Sequence, residues 1–403
     1  MNGSSEAAPA VFVLSCRGGS QGELGVVRSL GRRGVRVVVV GEHESLSARS
    51  RYCAEAHQYR SLFDDSASGV AFLKELAARE PTPPVLFPTA DPDLVFISRN
   101  RDALGSSFRL FVSSEEIVEN LIDKGKFFDF ANRFDLPTPK TSSLNAQSDV
   151  RAITEDYEFP VILKPLVPQN WGNPEIKKLV AGKKAVLVDN VQELAELHRA
   201  ISELDDRLAL QEYIPGRDDR LFSLHAYISQ DGEVIGAFTG QKIRTCPAYA
   251  GIGCYVTSVD KPDLKKIGLD MLQRIGYRGL ALAQFKQHAV TGEYCLLEIN
   301  PRLSSWNALA TACDVDLPYA AWCDCSGREM QRIEEQTEGL NYLFFEHDLS
   351  AMREYVREGD LSYREWLGSV IRANTFQYFA RDDLRPFWHV LRRWLKRQFT
   401  KIF

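Results

Sequence analysis

No apolar run in this chain approaches the roughly 18–20 residues needed to cross a bilayer, so a spanning helix is not expected. The first ten residues, Met1 to Ala10, lack both a basic n-region and a long apolar core, which argues against an export signal. Positive charge is not in excess either. Lys plus Arg number 49 against 54 Asp plus Glu, a net of −5, so nothing draws the chain as a whole to nucleic acid. The eight cysteines, at 16, 53, 246, 254, 295, 313, 323 and 325, form no CxxC pair and are expected as reduced thiols. Cys323 and Cys325 flank Asp324, but no second Cys/His pair lies near enough to complete four metal ligands. Repeats, low-complexity segments and a Ser/His/Asp set are absent as well. A cytoplasmic protein with no nucleic-acid partner is expected.

What is present is ordinary globular composition, 44% hydrophobic and 26% charged over 403 residues. That length exceeds the usual single-core limit of about 250–300 residues, so two or three domains are expected. Val11–Leu14 and Val35–Val40 are apolar runs separated by a turn at Gly18 to Gly25 and a helical stretch from Glu23 to Gly34, which makes one βαβ unit. A helix at Phe72–Arg79, strands at Val85–Phe87 and Phe108–Val112, and a turn at Thr89–Asp93 extend it to a small parallel α/β domain over residues 1–113.

Residues 114–330 read as α+β, with helices near Ser114 and Lys124 and a later alternation typical of antiparallel strands at Leu221–Ile228, Glu233–Thr239, Leu280–Gln287 and Tyr294–Ile299. Residues 331–403 read as a helical C-terminal extension. The fold class is therefore α/β and α+β. Glycines 18, 19, 22 and 25 after the first strand invite a dinucleotide-binding interpretation, which fails because Gly-x-Gly-x-x-Gly is not supplied. A tight turn at a helix N-terminus, able to hold some other anion, is the commoner case.

Four separated pieces carry chemistry together: Asp123-Lys124; Ile162-Leu-Lys164-Pro; Leu210-Gln-Glu212-Tyr213-Ile214-Pro-Gly216; and Leu296-Leu-Glu298-Ile-Asn300-Pro-Arg302. Lys164 ends a strand and, with Lys124, can approach one polyphosphate from two subdomains. Glu212 and the backbone of Tyr213 and Ile214 can accept and donate hydrogen bonds to a base or sugar. Glu298 and Asn300 alternate in a strand, so both point to one face and offer hard oxygens to Mg2+. Arg302 is in phase with them and suits a phosphate or carboxylate. A further segment, Gly240 to Gly253, sets Lys242 and Arg244 beside a Pro/Gly loop, where they can steer a carboxylate or a transferring phosphate. His225 and His288 alternate into apolar strands and are expected to be structural.

Taken in order, these pieces resemble the ATP-grasp superfamily, in particular its carboxylate-amine ligases, from about Val11 to about Leu317. Gly25-Val-Val-Arg-Ser-Leu30, Ser50-Arg-Tyr-Cys53 and Leu86-Phe-Pro-Thr-Ala-Asp91 look like the small α/β domain that such ligases carry first. The resemblance implies a two-subdomain ATP-grasp fold with Lys124 and Lys164 on the phosphates of ATP, Glu212, Tyr213 and Ile214 at the base or sugar, and Glu298 and Asn300 on Mg2+. It implies an enzyme that phosphorylates a carboxylate, small or polymer-bound, and joins it to an amine through the acyl phosphate. Arg302, Lys242 and Arg244 would serve that chemistry. Carboxylation and carboxylate-thiol ligation use the same nucleotide site.

Two departures stand out. Such ligases commonly place an acidic metal ligand in the strand before Glu-x-Asn, where this chain has Gln284, which offers a carbonyl oxygen without charge. Pro165 to Lys184 holds only Gly172 and Gly182 but four lysines, so any phosphate cover there is electrostatic. Gln284 also motivates the alternative of a degenerate ATP-binding module with an interaction role.

Residues 381–403 carry seven Lys or Arg against two Asp, a net of +5. On a helical wheel Phe387, Leu391, Trp394, Leu395, Phe399 and Ile402 share one side, and Arg393, Lys396 and Arg397 the other. This is the pattern of an interfacial helix, so peripheral contact with the inner membrane surface is one expectation and docking on the protein body the other.

Overall fold

The computed structural model describes residues 7–15, 21–60, 62–183, 185–249 and 251–400. Cys16, Gly18, Gly19, Lys184, Lys401 and Ile402 lie outside them, as do the side chains of Arg397 and Phe399. Three sheets organise the chain. The first contains β1 (Val11–Ser15), β2 (Val37–Gly41), β3 (Cys53–Gln58) and β4 (Val85–Phe87) in the order β3-β2-β1-β4, every pair parallel. β1, β2 and β4 are buried throughout, as continuous apolar runs in a covered parallel sheet should be.

β3 is the exposed edge and reads Cys-Ala-Glu-Ala-His-Gln, which has no apolar signal, so periodicity passes over it. The segment Phe108–Val112 is a correction in the other direction. It meets the sheet only through a bridge between Val85 and Arg109. The expected turn at Thr89–Asp93 runs directly into a helix, Asp91–Arg99.

The second sheet contains β5 (Thr141–Leu144), β6 (Val161–Pro165), β7 (Val186–Val188) and β8 (Leu208–Glu212), antiparallel in the order β5-β8-β6-β7. The third has seven strands: β9 (Leu221–Ile228), β10 (Val234–Cys246), β11 (Ile252–Ser258), β12 (Gly279–Gln287), β13 (Tyr294–Asn300), β14 (Asn341–Leu343) and β15 (Thr375–Phe376). Their order is β13-β12-β9-β10-β11-β14-β15. β10 runs on to Cys246, so Lys242 and Arg244 lie inside a central strand and not in a loop; Gly240, Pro247 and Gly251 had suggested the loop. The C-terminal segment adds two strands to its helices, β14 and β15, at one edge of this sheet.

One core cluster joins the first sheet to the third, from Val11 and Val37 through Tyr227, Val256 and Trp306 to Tyr342 and Tyr355, while the second sheet has its own core around Val161, Leu163, Val188 and Leu210. Close approach between the first helix, Glu23–Arg32, and the helix Asn307–Ala312 explains Gly25: an added Cβ would stand 2.0 Å from Asn307 Oδ1. That glycine serves helix packing. The N-terminus of the same helix carries buried Glu23, which accepts from Ser45 Oγ at 2.7 Å and from Ser47 Oγ, so a carboxylate of the chain itself sits at this positive end.

The tail is rooted before its helix begins. Asp383 is buried and accepts from Arg28 Nε (3.0 Å), Ser50 Oγ (2.7 Å) and Arg51 N (3.0 Å). Asp382 pairs with Arg32 at 2.7 Å and with the Tyr52 hydroxyl at 2.6 Å. The helix Arg385–Thr400 follows. Phe387 and Leu391 are half-buried, while Trp388 and Leu395 remain 50% and 41% exposed. Among the described residues no helix is long and apolar enough to cross a membrane.

Candidate active site

The loop after β4 and the middle of the seven-stranded sheet enclose a cavity of about 350 Å³. Thr89 to Pro92 close one side; Ser223, Lys242, Gln284, Glu298 and Asn300 rise from β9, β10, β12 and β13; Arg302 to Trp306 complete the wall. Register brings the polar residues level. Gln284 lies opposite Ser223 on one neighbour and Glu298 on the other.

Glu298 Oε1 accepts from Gln284 Nε2 at 2.5 Å and from Asn300 Nδ2 at 3.0 Å. Lys242 Nζ, buried, donates to Gln284 Oε1. Burial pulls the Lys242 ammonium below its ordinary pKa, while Glu298 and Asp218 oppose that pull. Arg302 is held bidentately by Asp91, Nε to Oδ1 at 2.5 Å and Nη2 to Oδ2 at 3.3 Å. Asp91 is placed by its neighbour Asp93, whose Oδ2 accepts from Thr89 N (2.9 Å) and Ala90 N (2.8 Å). Complete burial pushes Asp93 up to about 7 despite those bonds.

Lys164 stands on β6 of the smaller sheet, donating to Gln211 Oε1 at 2.9 Å with its ammonium 5.1 Å from the Phe128 ring centre. Burial, and then repulsion from Lys124, lower it to about 8, against the attraction of Glu298. Lys124 and Glu298 therefore lie within electrostatic reach of Lys164. Lys124 opens the helix Lys124–Arg133, whose first amides are capped by Asp123. Glu212 ends β8 with its carboxylate accepting from Lys140 N at 3.1 Å and otherwise facing outward, Tyr213 lies under the Lys286 ammonium at 5.1 Å, and Ile214 is buried.

Arg244 does not join the cavity. It is 4% exposed, paired with Asp348 at 2.7 and 3.0 Å, bonded to Ser369 Oγ at 2.8 Å, and stacked 4.4 Å from the Tyr255 ring centre. Irregularities in β10 on both sides of Arg244 part it from Lys242, and it braces the strand against the helix Phe345–Arg357. Gln284, expected to offer a carbonyl oxygen to the metal, does line the cavity, with its carbonyl facing Lys242 and its amide facing Glu298.

His288 accepts from Val290 N and Thr291 N in a turn, and His225 is buried against Trp306 at 4.4 Å. Burial, with Lys242 nearby, pushes His225 down to about 3, so it is a neutral ring at ordinary pH. Sequence patterns missed Ser223, Asp93 and Trp306 as wall or support; Asp91 stood at the end of a quoted motif with no role. None of the seven described cysteines forms a disulfide, and no cluster of three or more His, Cys, Asp or Glu among the described residues could hold a metal. Glu298 and Asn300, one charged and one neutral oxygen donor on one face, still fit a hard cation that completes its shell with phosphates.

Residues 240–322 match the family described as carbamoyl-phosphate synthase L chain, ATP binding domain. The chain is similar to structures of biotin carboxylase and N5-carboxyaminoimidazole ribonucleotide synthetase. The biotin carboxylase domain of the Hydrogenobacter thermophilus 2-oxoglutarate carboxylase, solved with MgADP and bicarbonate, has TM-score 0.61 and 14% identity over 82% of this chain and 73% of that one. An ADP complex of N5-carboxyaminoimidazole ribonucleotide synthetase has TM-score 0.61 and 14% identity over 87% and 85%.

The chain has the ATP-grasp fold. Among curated proteins it is 31% identical over 215 residues to the D-aspartate ligase of Enterococcus faecium (strain Aus0004), an alignment covering 51% of this chain and 50% of that ligase. It thus spans half the length of that relative. In this ATP-grasp chain the cavity is carried by β9 to β13 of the seven-stranded sheet, with the loop after β4 of the first sheet closing one side.

Proposed function

We propose that the chain is an ATP-dependent carbon-nitrogen ligase that activates a carboxylate as its acyl phosphate and passes the acyl group to an amine. The observation that carries this is the convergence of Lys242, Gln284, Glu298, Asn300 and Arg302 on one cavity, with Lys164 close enough to feel Glu298. Lys124 and Lys164 bind the phosphates of ATP, and Glu212 with the backbone of Tyr213 and Ile214 takes the base and sugar. Arg302, whose Nε and Nη2 are held by Asp91, stands in the cavity wall where its charge attracts the substrate carboxylate. Mg2+ belongs with Glu298 and Asn300 and supplies positive charge to the phosphate oxygens.

A substrate carboxylate oxygen attacks the terminal phosphorus and ADP leaves. The amine then attacks the acyl carbon, phosphate departs, and the amine loses a proton. Lys242 lies where it can offset charge on the transferring group. Arg244 acts indirectly, by bracing β10.

The test is a hydroxylamine trap with ATP and a panel of carboxylates that includes D-aspartate, chosen because of the ligase that is 31% identical. Hydroxamate and ADP should appear together for one acid. If no acid in a broad panel gives either, the ligase assignment is wrong.

We also propose that the exposed face of the tail helix meets an anionic membrane surface. Trp388 and Leu395 are exposed beside Arg385, Arg392 and Lys396, which supports an interfacial contact over full docking.

A further inference from the structure

The cavity wall contains two carboxylates, Asp91 and Glu298, and two cations, Lys242 and Arg302. Asp91 is closed in a bidentate pair with Arg302. Glu298 is thus the one carboxylate of the wall not engaged by a cation, and the residue level with it is neutral. Which way that neutral amide points is decided by its neighbours. Lys242 has only donors, so Gln284 must turn its oxygen to it, and ionised Glu298 has only acceptors, so Gln284 must turn its nitrogen there. Both neighbours demand the same orientation. Rotating the amide to offer its oxygen beside Glu298 would set an NH2 group against the Lys242 ammonium.

Asn300 meets one of these demands and not both: its Nδ2 donates to Glu298 at 3.0 Å, but no ammonium holds its oxygen, so rotation can turn that oxygen to a cation. The two amides next to Glu298 therefore differ: Asn300 can become a metal ligand and Gln284 is held from becoming one.

We propose that Lys242, locked by Gln284, serves as a fixed positive charge of this site, and that the site accordingly takes one divalent cation per bound nucleotide and not two. This rests on the nucleotide assignment above. A second divalent ion beside Glu298 would find no further protein carboxylate to offset its charge and would have to approach a buried ammonium. Lys242 instead places a positive charge there, supported by Glu298 and Asp218 against the pull of burial, without a metal to bind or lose. Its role is electrostatic stabilisation of phosphate charge, while Gln284 is a positioning residue that aims the ammonium.

The experiment counts ions. The full chain, in excess over a non-hydrolysable ATP analogue, is titrated with Mn2+ while free Mn2+ is read by electron paramagnetic resonance, and bound nucleotide is measured separately by equilibrium dialysis. Wild type should bind one Mn2+ per bound nucleotide. Gln284→Glu alone should still bind one, because Lys242 neutralises the new carboxylate. Gln284→Glu combined with Lys242→Met, checked for native circular dichroism, should bind two. Two Mn2+ per nucleotide in wild type overturns the proposal, and so does a count of one in a folded double variant. Failure of wild type to bind the nucleotide overturns the nucleotide assignment itself, and dialysis reports that independently of the ion count.

Discussion

Two cavities of this protein differ in a way that size alone would misjudge. The larger, about 700 Å³, lies between the tail helix, the first domain and the helix Phe345–Arg357, with an apolar lining that includes Leu24, Leu349 and Leu391 and with Glu23, Glu44, Glu346, Arg49 and Arg393 also in its wall. The smaller, about 350 Å³, is walled by charged and amide side chains on adjacent strands. The larger exists because the tail is fastened by Asp382 and Asp383, while the helix beyond them touches the body along part of one side. The smaller exists because β-sheet register brings Ser223, Gln284 and Glu298 level. Charged side chains line both, but only in the smaller are they held level with one another by strand register.

The sharpest way to break the comparison is to remove charge from the smaller cavity. Glu298→Gln and Lys164→Met should each reduce turnover by about 10²–10³-fold or more with native circular dichroism, since under the proposed function each removes a charge that would stabilise the transferring group or its ion. Near-normal ADP release by either variant would place the chemistry elsewhere.

Next is the fastening of the tail. Asp383→Ala leaves Arg28 buried without its carboxylate and should destabilise the protein by about 3–5 kcal/mol in urea unfolding. The kcat of the folded fraction should be unchanged if turnover belongs to the smaller cavity, whose wall Asp383 does not join. A stability change below about 1 kcal/mol would mean that the buried pair is not what holds the root.

A smaller, pH-dependent effect sharpens the assignment of Lys164. Its pKa of about 8 lies below the ordinary lysine value, so the free protein loses this charge as pH rises above about 8. Phosphate favours the charged form, so nucleotide binding should take up a proton above that pH, and affinity should fall by up to about tenfold per pH unit. Calorimetry in two buffers of different ionisation enthalpy measures the uptake. Lys164→Arg should show neither the uptake nor the fall, since a guanidinium keeps its proton. A pH-independent affinity in wild type would remove Lys164 from the phosphates.

The smallest effect concerns the tail surface. Each basic residue close to an anionic bilayer contributes on the order of 1 kcal/mol, weakening with salt. Flotation with anionic vesicles should carry the full chain at low salt, and a chain ending at Asp383 should stay behind with its turnover intact. No flotation of the full chain would leave Trp388 and Leu395 as ordinary exposed side chains.

Much of this was legible in the residues. Apolar runs located β1, β2 and β4; strict alternation located β9, β12 and β13; Glu298 and Asn300 were on one face because a strand has a period of two. β3 was not legible, since an exposed edge strand buries too little to need an apolar pattern. The inner half of β10 was hidden by glycines and a proline that read as a loop.

Lys242 and Arg244 mark the boundary between the two kinds of knowledge. From sequence they are two cations two residues apart, equivalent in phase and charge. Irregularities in β10 separate them, and Asp348, 104 positions after Arg244, claims one while Gln284, 42 positions after Lys242, orients the other. Sequence by itself determined which charges exist and which face of a strand each occupies, because both follow from local covalent structure. Only the tertiary structure decided which charges are neutralised and which stay available, because that depends on partners brought within about 3 Å by folding and on the burial that makes leaving them unpaired costly.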